Sequence, residues 1–143
     1  MIVNVKMISD RIREYEKYFE DFITLDRLYP VIGVKITHHG RSFGSFRCTI
    51  DEYGEIYNYY IQISDYYDYT EENLRDIIVH EMIHFFIVYY KLAPISKPHG
   101  KVFKEMAKHM NEKYGMDIRK HPDLDKYKIR EDLPWYKKVY YYF

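Results

Sequence analysis

The amino-acid sequence predicts an α+β fold with an N-terminal helix, a small and mostly antiparallel sheet of three strands, and two further helices. Three observations support this order. Apolar residues recur at helical spacing near the N-terminus, three short segments alternate apolar and polar residues, and a long apolar run follows a helix-capping residue. With 143 residues, of which 47% are hydrophobic and 31% charged, the chain can bury a proper core. We therefore expect one domain over residues 1–143, with its core at about 9–115 and a tail at 116–143.

The first helix is predicted over residues 9–29. Ser9 or Asp10 can cap its first turn, because a short polar side chain accepts a hydrogen bond from a free backbone N–H. Pro30 ends it, since proline has no N–H to donate. The apolar stripe along this segment approximates helical spacing and consists of Ile12, Tyr15, Phe19, Phe22, Ile23 and Leu28.

Three strands are expected next. Residues 31–37 place an aliphatic side chain at every second position, which is typical of a strand with one buried face. Residues 45–50 alternate in the same way, and the turn-forming segment 51–55 separates them from a third run at 56–64. Because the connection is short, the second and third strands are predicted to form a hairpin.

Two helices complete the predicted core. Thr70 can cap the first of them, which should run over about 71–92 and begins with two glutamates that suit a helix N-terminus. The segment 93–98 has a proline near each end and breaks this helix. A second helix should cover about 99–114 and end near Gly115, where a left-handed residue can terminate it. In the tail, a strand is predicted at the C-terminal "WYKKVYYYF".

Composition narrows the class of protein. Cys48 is the single cysteine, which excludes an internal disulfide and a thiolate metal cluster. The N-terminus lacks the pattern of a signal peptide, and the longest apolar run is too short to cross a bilayer. We therefore expect a soluble, cytoplasmic protein with no membrane association. The net charge is zero, but residues 1–96 are net acidic and residues 97–143 net basic, which weakly suggests an anionic partner for the latter.

The stretch "DIIVHEMIHFFIVYY", residues 76–90, contains the pattern H-E-x-x-H. On a helix, His80 and His84 lie one turn apart on the same face, so both can present a ring nitrogen to one zinc ion. Glu81 lies slightly to the side, where it can take a proton from a metal-activated water without binding the metal. Burying these three polar residues without partners would be costly, whereas one metal ion satisfies all of them. The pattern therefore favours a catalytic zinc site over a structural helix that happens to contain histidine.

A third metal ligand has two downstream candidates, His99 and Glu105. The extended pattern H-E-x-x-H-x-x-G-x-x-H is excluded, because Ile87 and Tyr90 occupy the positions of its glycine and last histidine. The chain between Leu92 and His99 is long enough to return to His84, so geometry permits His99.

The segment "HEMIH", followed after 14 residues by "HGKVF", closely resembles the SprT-like zinc metallopeptidases, a family that includes the DNA-repair protease Spartan. The resemblance continues upstream in "GSFRCTIDEYGEIYNYYIQIS" and covers roughly residues 25–115. It implies a zincin-like core in which His80, His84 and His99 bind Zn²⁺ and Glu81 is the catalytic base. It also implies a metallopeptidase that hydrolyses protein or peptide substrates, including proteins associated with DNA.

One departure from the family concerns nucleic acid. Many SprT-like proteins carry a cysteine-rich zinc ribbon after this core, and a chain whose one cysteine is Cys48 does not contain it. The DNA contact that such a ribbon provides is therefore in doubt, and the neutral net charge also counts against strong DNA binding.

The alternative function is a non-catalytic zinc-containing module whose tyrosine-rich, basic C-terminal region contacts nucleic acid or protein. The chain has 18 tyrosines, and those of "YNYYIQISDYYDY" (57–69) could stack on single-stranded nucleic acid or fill a core. The predicted strand at 56–63 is a candidate edge for pairing with an extended peptide. His38, His39, His109 and His121 are expected at the surface, and Cys48 as a small buried apolar group.

Overall fold

The computed structural model describes residues 1–23, 31–119 and 128–132. Within these ranges it has three α-helices and five strands, in an order that matches the predicted α+β class. The elements are α1 (Val5–Tyr15), continued by a 3-10 turn (Glu16–Phe19), then β1 (Gly33–Thr37), β2 (Gly44–Ile50), β3 (Ile56–Ser64), β4 (Tyr67–Asp68), α2 (Glu71–Tyr89), α3 (Lys101–Tyr114) and β5 (Lys128–Ile129).

The first helix begins earlier than predicted. Asn4 caps α1, since its side-chain oxygen accepts the N–H of Met7 at 2.8 Å, whereas Ser9 and Asp10 lie inside the helix. The prediction missed this because Asn4 lies among apolar residues, outside the helical stripe that was used to place the helix. The α-helix ends at Tyr15, and residues 24–29 of the predicted helix, like the "WYKKVYYYF" segment, lie outside the described residues.

The three-stranded sheet is mixed rather than mostly antiparallel. Its order is β1-β3-β2, with β2 antiparallel to β3, as the hairpin prediction required, and β1 parallel to β3. The short turn after β2 dictates the antiparallel pair. β1 instead joins the far side of β3, and the alternation of apolar residues carries no information about which neighbour a strand chooses or in which direction.

Helix α2 lies at the centre of the molecule and contacts α1, α3, β2 and β3. This position explains why it is apolar on most sides. The inner face of the sheet supplies Ile61 and Ile63, which are fully buried. At Gly44, an added Cβ would lie 3.2 Å from the Ile77 side chain and 3.0 Å from a backbone oxygen of β3, so this glycine lets β2 approach α2 closely.

Both ends of α2 follow from local hydrogen bonding. The hydroxyl of Thr70 accepts the N–H of Asn73 at 3.1 Å, which confirms the predicted cap. The helix ends at Tyr89, three residues before the predicted end, because Lys91 adopts a left-handed conformation with φ of 54°. The N–H groups of Lys91 and Leu92 return to the carbonyls of Val88 and Ile87, the hydrogen-bond pair of a Schellman motif.

Helix α3 ends as predicted, with Gly115 in the left-handed region at φ of 68°. A further pairing was not predicted. The two-residue strand β4, just before α2, pairs with β5 from the C-terminal part of the chain. Among the described residues, no helix has both the length and the apolar character that crossing a membrane requires.

Candidate metal centre

Helix α2 presents one stripe of side chains to a cavity. The members of this stripe recur at intervals that place them on one side of a helix, and they are Ile77, His80, Glu81, His84, Ile87 and Val88. The H-E-x-x-H pattern therefore lies on the cavity side of α2, with aliphatic residues one turn before and one turn after it.

Three histidines come together at this stripe. Nε2 of His99 lies 3.2 Å from Nε2 of His84 and 3.4 Å from Nε2 of His80. The candidate ligand atoms of all three lie within 4.8 Å of one another. Two nitrogens bound tetrahedrally at about 2.05 Å from one zinc ion would lie about 3.3 Å apart. Two of the three nitrogen–nitrogen distances thus match this spacing, and imidazole nitrogens are donors that a divalent metal ion such as zinc binds.

His99 reaches the cluster from the connection between α2 and α3. It was predicted to lie in the second helix of the motif, but α3 begins at Lys101 with Gly100 as its N-cap, so His99 precedes the helix by two residues. Within the connection, Lys97 donates its N–H to the carbonyl of Pro94, and the N–H of Gly100 returns to Lys97. These turns direct His99 towards α2.

Phe103 holds the three imidazoles from the side of α3. Its ring centroid lies 4.9 Å from the ring centroids of His80, His84 and His99, and it stacks on His84 at an interplanar angle of 24°. Phe103 is 2% exposed. Because the ring contacts every member of the cluster, it restricts their orientation as well as filling the core.

Burial determines the protonation of His84. Burial, and to a smaller extent the nearby charge of His99, together lower the pKa of His84 to about 4. His84 is therefore neutral at neutral pH in the metal-free protein. A neutral imidazole is the form that binds a metal, so binding of a metal ion would displace no proton from His84.

Glu81 lies beside the cluster and is 6% exposed. Its Oε1 atom is 3.8 Å from Nε2 of His80. Burial raises the pKa of the Glu81 carboxyl to about 8 in the metal-free protein. A carboxyl group with a pKa in this range can both accept and release a proton near neutral pH, as a general base and acid must.

The cavity in front of these residues has a volume of about 780 Å³. It lies between α2, the segment 40–48 that contains most of β2, and the α2–α3 connection around Ile95. A volume of this size is typical of sites that bind small molecules or a few residues of a peptide.

Glu105, the rival third ligand, does not join the cluster. Its side chain is 62% exposed and pairs with Lys101 at 3.7 Å. Two other histidines also lie elsewhere: His38 contacts Asp65 at 2.8 Å and His109 contacts Asp21 at 2.9 Å. His121 lies outside the described residues.

The strand beside the cavity is β2, and the predicted edge at 56–63 is wrong. Residues 56–63 belong to β3, which pairs with β1 on one side and β2 on the other. Within the described residues β2 pairs only with β3, and it lines the cavity. The hairpin prediction identified both strands, but it could not tell which of the two would be covered by β1.

The tyrosines of 57–69 divide between core and surface. Tyr66, Tyr67 and Tyr69 are buried, whereas Tyr57 is 51% exposed. Much of this segment therefore fills the core, one of the two interpretations that its composition allowed.

Cys48 is half-buried in β2 and lines the cavity, and burial raises the pKa of its thiol.

The sequence interpretation missed Asp76, a second acidic residue buried in α2. Its carboxylate accepts a hydrogen bond from Nε of Arg75 at 3.1 Å and from the backbone N–H of Asp117 at 3.2 Å. Its position within an apolar run was the available signal, since a buried charge requires partners.

Comparison of the chain with protein families identifies the family to which its sequence is similar. The sequence model of the SprT-like family matches residues 12–123, a range that contains the three clustered histidines, Glu81 and Phe103. No curated protein and no solved structure matches the chain.

Proposed function

Because the chain belongs to the SprT-like family, we propose that it is a zinc-dependent metallopeptidase that hydrolyses peptide bonds in protein substrates, with Glu81 as the general base. The observation that carries this proposal is a buried carboxylate, Glu81, next to three converging imidazoles at the base of a cavity. A structural zinc site needs no base beside its ligands, whereas a peptidase does.

In this proposal His80, His84 and His99 hold the ion through their Nε2 atoms, and three protein ligands leave a coordination position for water or substrate. When bound, zinc would supply the Lewis acidity that polarises the substrate carbonyl and makes a water molecule acidic. Glu81 orients the attacking water, accepts its proton and passes that proton to the leaving amine. The pKa of about 8 belongs to the metal-free protein, and a bound dication would lower it, which makes the carboxylate form of Glu81 available as a base at neutral pH.

The edge strand β2 gives the proposed substrate a place to bind. A strand that is paired on one side offers backbone N–H and C=O groups to an extended peptide. β2 runs along the cavity that contains Glu81 and the histidines. A peptide paired with β2 would therefore pass the proposed zinc site with its backbone held in an extended form.

The family resemblance extends the proposal to proteins associated with DNA as substrates. The alternative function, a non-catalytic module that binds nucleic acid or protein, would depend on the tyrosine-rich end of the chain, and residues 133–143 lie outside the described residues. The buried Glu81 next to the histidine cluster supports the peptidase.

The proposal is tested by comparing the wild-type protein with the Glu81→Gln and Glu105→Gln variants after loading each with zinc. Hydrolysis of a casein-like protein, with and without single-stranded DNA, should fall by about 10²–10⁴-fold in the Glu81 variant, because general-base assistance is lost. The zinc content should not change, since the histidines are untouched. Glu105→Gln is the matched control, an exposed acid away from the cavity, and should retain activity.

Two results would count against the peptidase. Equal hydrolysis by the wild-type protein and the Glu81 variant would show that the activity arises elsewhere. An inactive wild-type protein with a full complement of zinc would instead favour the binding module.

A further inference from the structure

The cavity is lined mainly by apolar side chains once the histidines and Glu81 are set aside. The stripe on α2 contributes aliphatic residues, β2 and the segment before it contribute aromatic and aliphatic ones, and the α2–α3 connection contributes two prolines and an isoleucine. Among the described residues, the charged ones that line it, apart from Glu81, are Arg41 and Arg47, both of which are solvent-exposed. Most of the cavity therefore offers no partner for a charged side chain.

Two lining residues are large, aliphatic and exposed. Ile50, at the end of β2, is 48% exposed, and Ile95, in the α2–α3 connection, is 49% exposed. They belong to different walls of the same cavity. Isolated exposed aliphatic residues are common on proteins, but apolar surface continuous with a concave site is typical of a binding surface.

We infer that this cavity selects polypeptide segments that carry a large apolar side chain next to the scissile bond, and that Ile50 and Ile95 contact that side chain. The inference rests on the proposed peptidase function and adds a substrate class to it. Transfer of an apolar side chain from water into an apolar site stabilises binding, whereas a polar side chain of equal size would lose its hydrogen bonds to water. We therefore expect a preference of about 10-fold or more for an apolar residue.

The test uses two matched peptides and two matched variants. The peptides consist of alanine, serine and glycine with one central residue, either leucine or asparagine, which have similar size. The Ile95→Asn variant removes the apolar contact. Leu92→Asn is its control, because Leu92 lies in the same connection and is 40% exposed but does not line the cavity.

Binding is measured separately from hydrolysis. Fluorescently labelled peptides are titrated into zinc-loaded Glu81→Gln protein, and kcat/KM is measured with the wild-type protein, with mass spectrometry to locate the cleaved bond. The leucine peptide should bind about 10-fold more tightly than the asparagine peptide and be cleaved next to leucine. Adding Ile95→Asn should remove most of this preference, and adding Leu92→Asn should leave it unchanged.

The outcomes distinguish the inference from the proposed function. Equal binding of the two peptides, or equal effects of the Ile95 and Leu92 variants, would overturn the inference even if the protein hydrolyses both. If the leucine peptide binds preferentially but no peptide is cleaved, the peptidase function fails and the apolar selectivity of the cavity is retained.

Discussion

Helix α2 buries two carboxylates five residues apart, and their surroundings differ. Asp76, 7% exposed, lies against Arg75 and accepts the backbone N–H of Asp117, so it ties the chain after α3 to α2. Glu81, 6% exposed, faces the histidine cluster and the cavity, and no arginine or lysine among the described residues pairs with it. Burial raises the pKa of both carboxyls, but at Asp76 the neighbouring arginine opposes that rise.

The comparison shows how equal burial can serve different purposes. A buried acid that accepts hydrogen bonds from a cation and from a backbone donor links parts of the fold, and removing it should affect stability more than chemistry. A buried acid whose pKa is shifted only by desolvation, at the edge of a cavity, is suited to proton transfer. On α2, Asp76 lies outside the stripe of residues that faces the cavity, whereas Glu81 lies within that stripe.

The largest expected effect tests whether the part of α2 that contains Glu81 belongs to a metal site. The His99→Ala variant removes one of three proposed ligands, so the affinity for zinc should fall by more than about 100-fold, since even residues that only support a ligand contribute about 10–100-fold. The Glu105→Ala variant should bind zinc as the wild-type protein does. Both are measured by competition with a zinc chelator. Normal zinc affinity in the His99 variant would show that the histidine cluster next to Glu81 is not the zinc site.

Substitution of Asp76 should change the stability of the protein rather than its activity. Asp76→Ala removes the acceptor of the hydrogen bonds from Nε of Arg75 and from the backbone N–H of Asp117, and the free energy of unfolding should fall by about 1–3 kcal/mol. Glu81→Gln should leave it nearly unchanged in the metal-free protein, because a carboxyl with a pKa of about 8 is already mostly protonated at pH 7. Urea denaturation of both variants at pH 7 checks this. A larger loss in the Glu81 variant would reverse the assignment of the two acids.

The smallest effect concerns the packing that supports the cluster. Phe103→Leu keeps an apolar side chain but removes the ring that contacts three imidazoles, so the affinity for zinc should fall by about 10-fold, as for other supporting residues. Met106→Leu is the control, a buried residue of α3 one turn further on. Equal zinc affinity in both variants would mean that the ligands are oriented without Phe103.

The surroundings of Asp76 and of Glu81 also differ in how far the sequence predicts them. The spacing of His80, Glu81 and His84 fixes their common face, because helical periodicity is a local property. The role of Asp76 depends on Asp117, a residue 41 positions later, and no local pattern contains that contact. His99 falls between these cases, since chain length permits its return but only the turns around Pro94 and Lys97 direct it.

The same division holds for the fold. The hairpin of β2 and β3, the cap at Thr70 and the left-handed Gly115 follow from short-range chemistry and are confirmed. The parallel pairing of β1 with β3 joins segments that are far apart in the sequence, and β1 also contacts α1, so alternation could not predict it. The early start at Asn4 was missed because a cap among apolar residues lies outside the helical stripe that was used to place the helix.

Because His99 lies in a connection and not in a helix, the chain differs from segment to segment in whether it tolerates insertions and deletions. One residue inserted between His80 and His84 would rotate His84 by about 100° around α2 and remove it from the cluster. The connection at 93–98 is largely exposed, and doubling the length of a flexible loop costs only about 0.6 kcal/mol. Changes in length are therefore compatible with the metal centre only before the turns at Pro94 and Lys97 that direct His99, whereas the five residues of the H-E-x-x-H segment admit none.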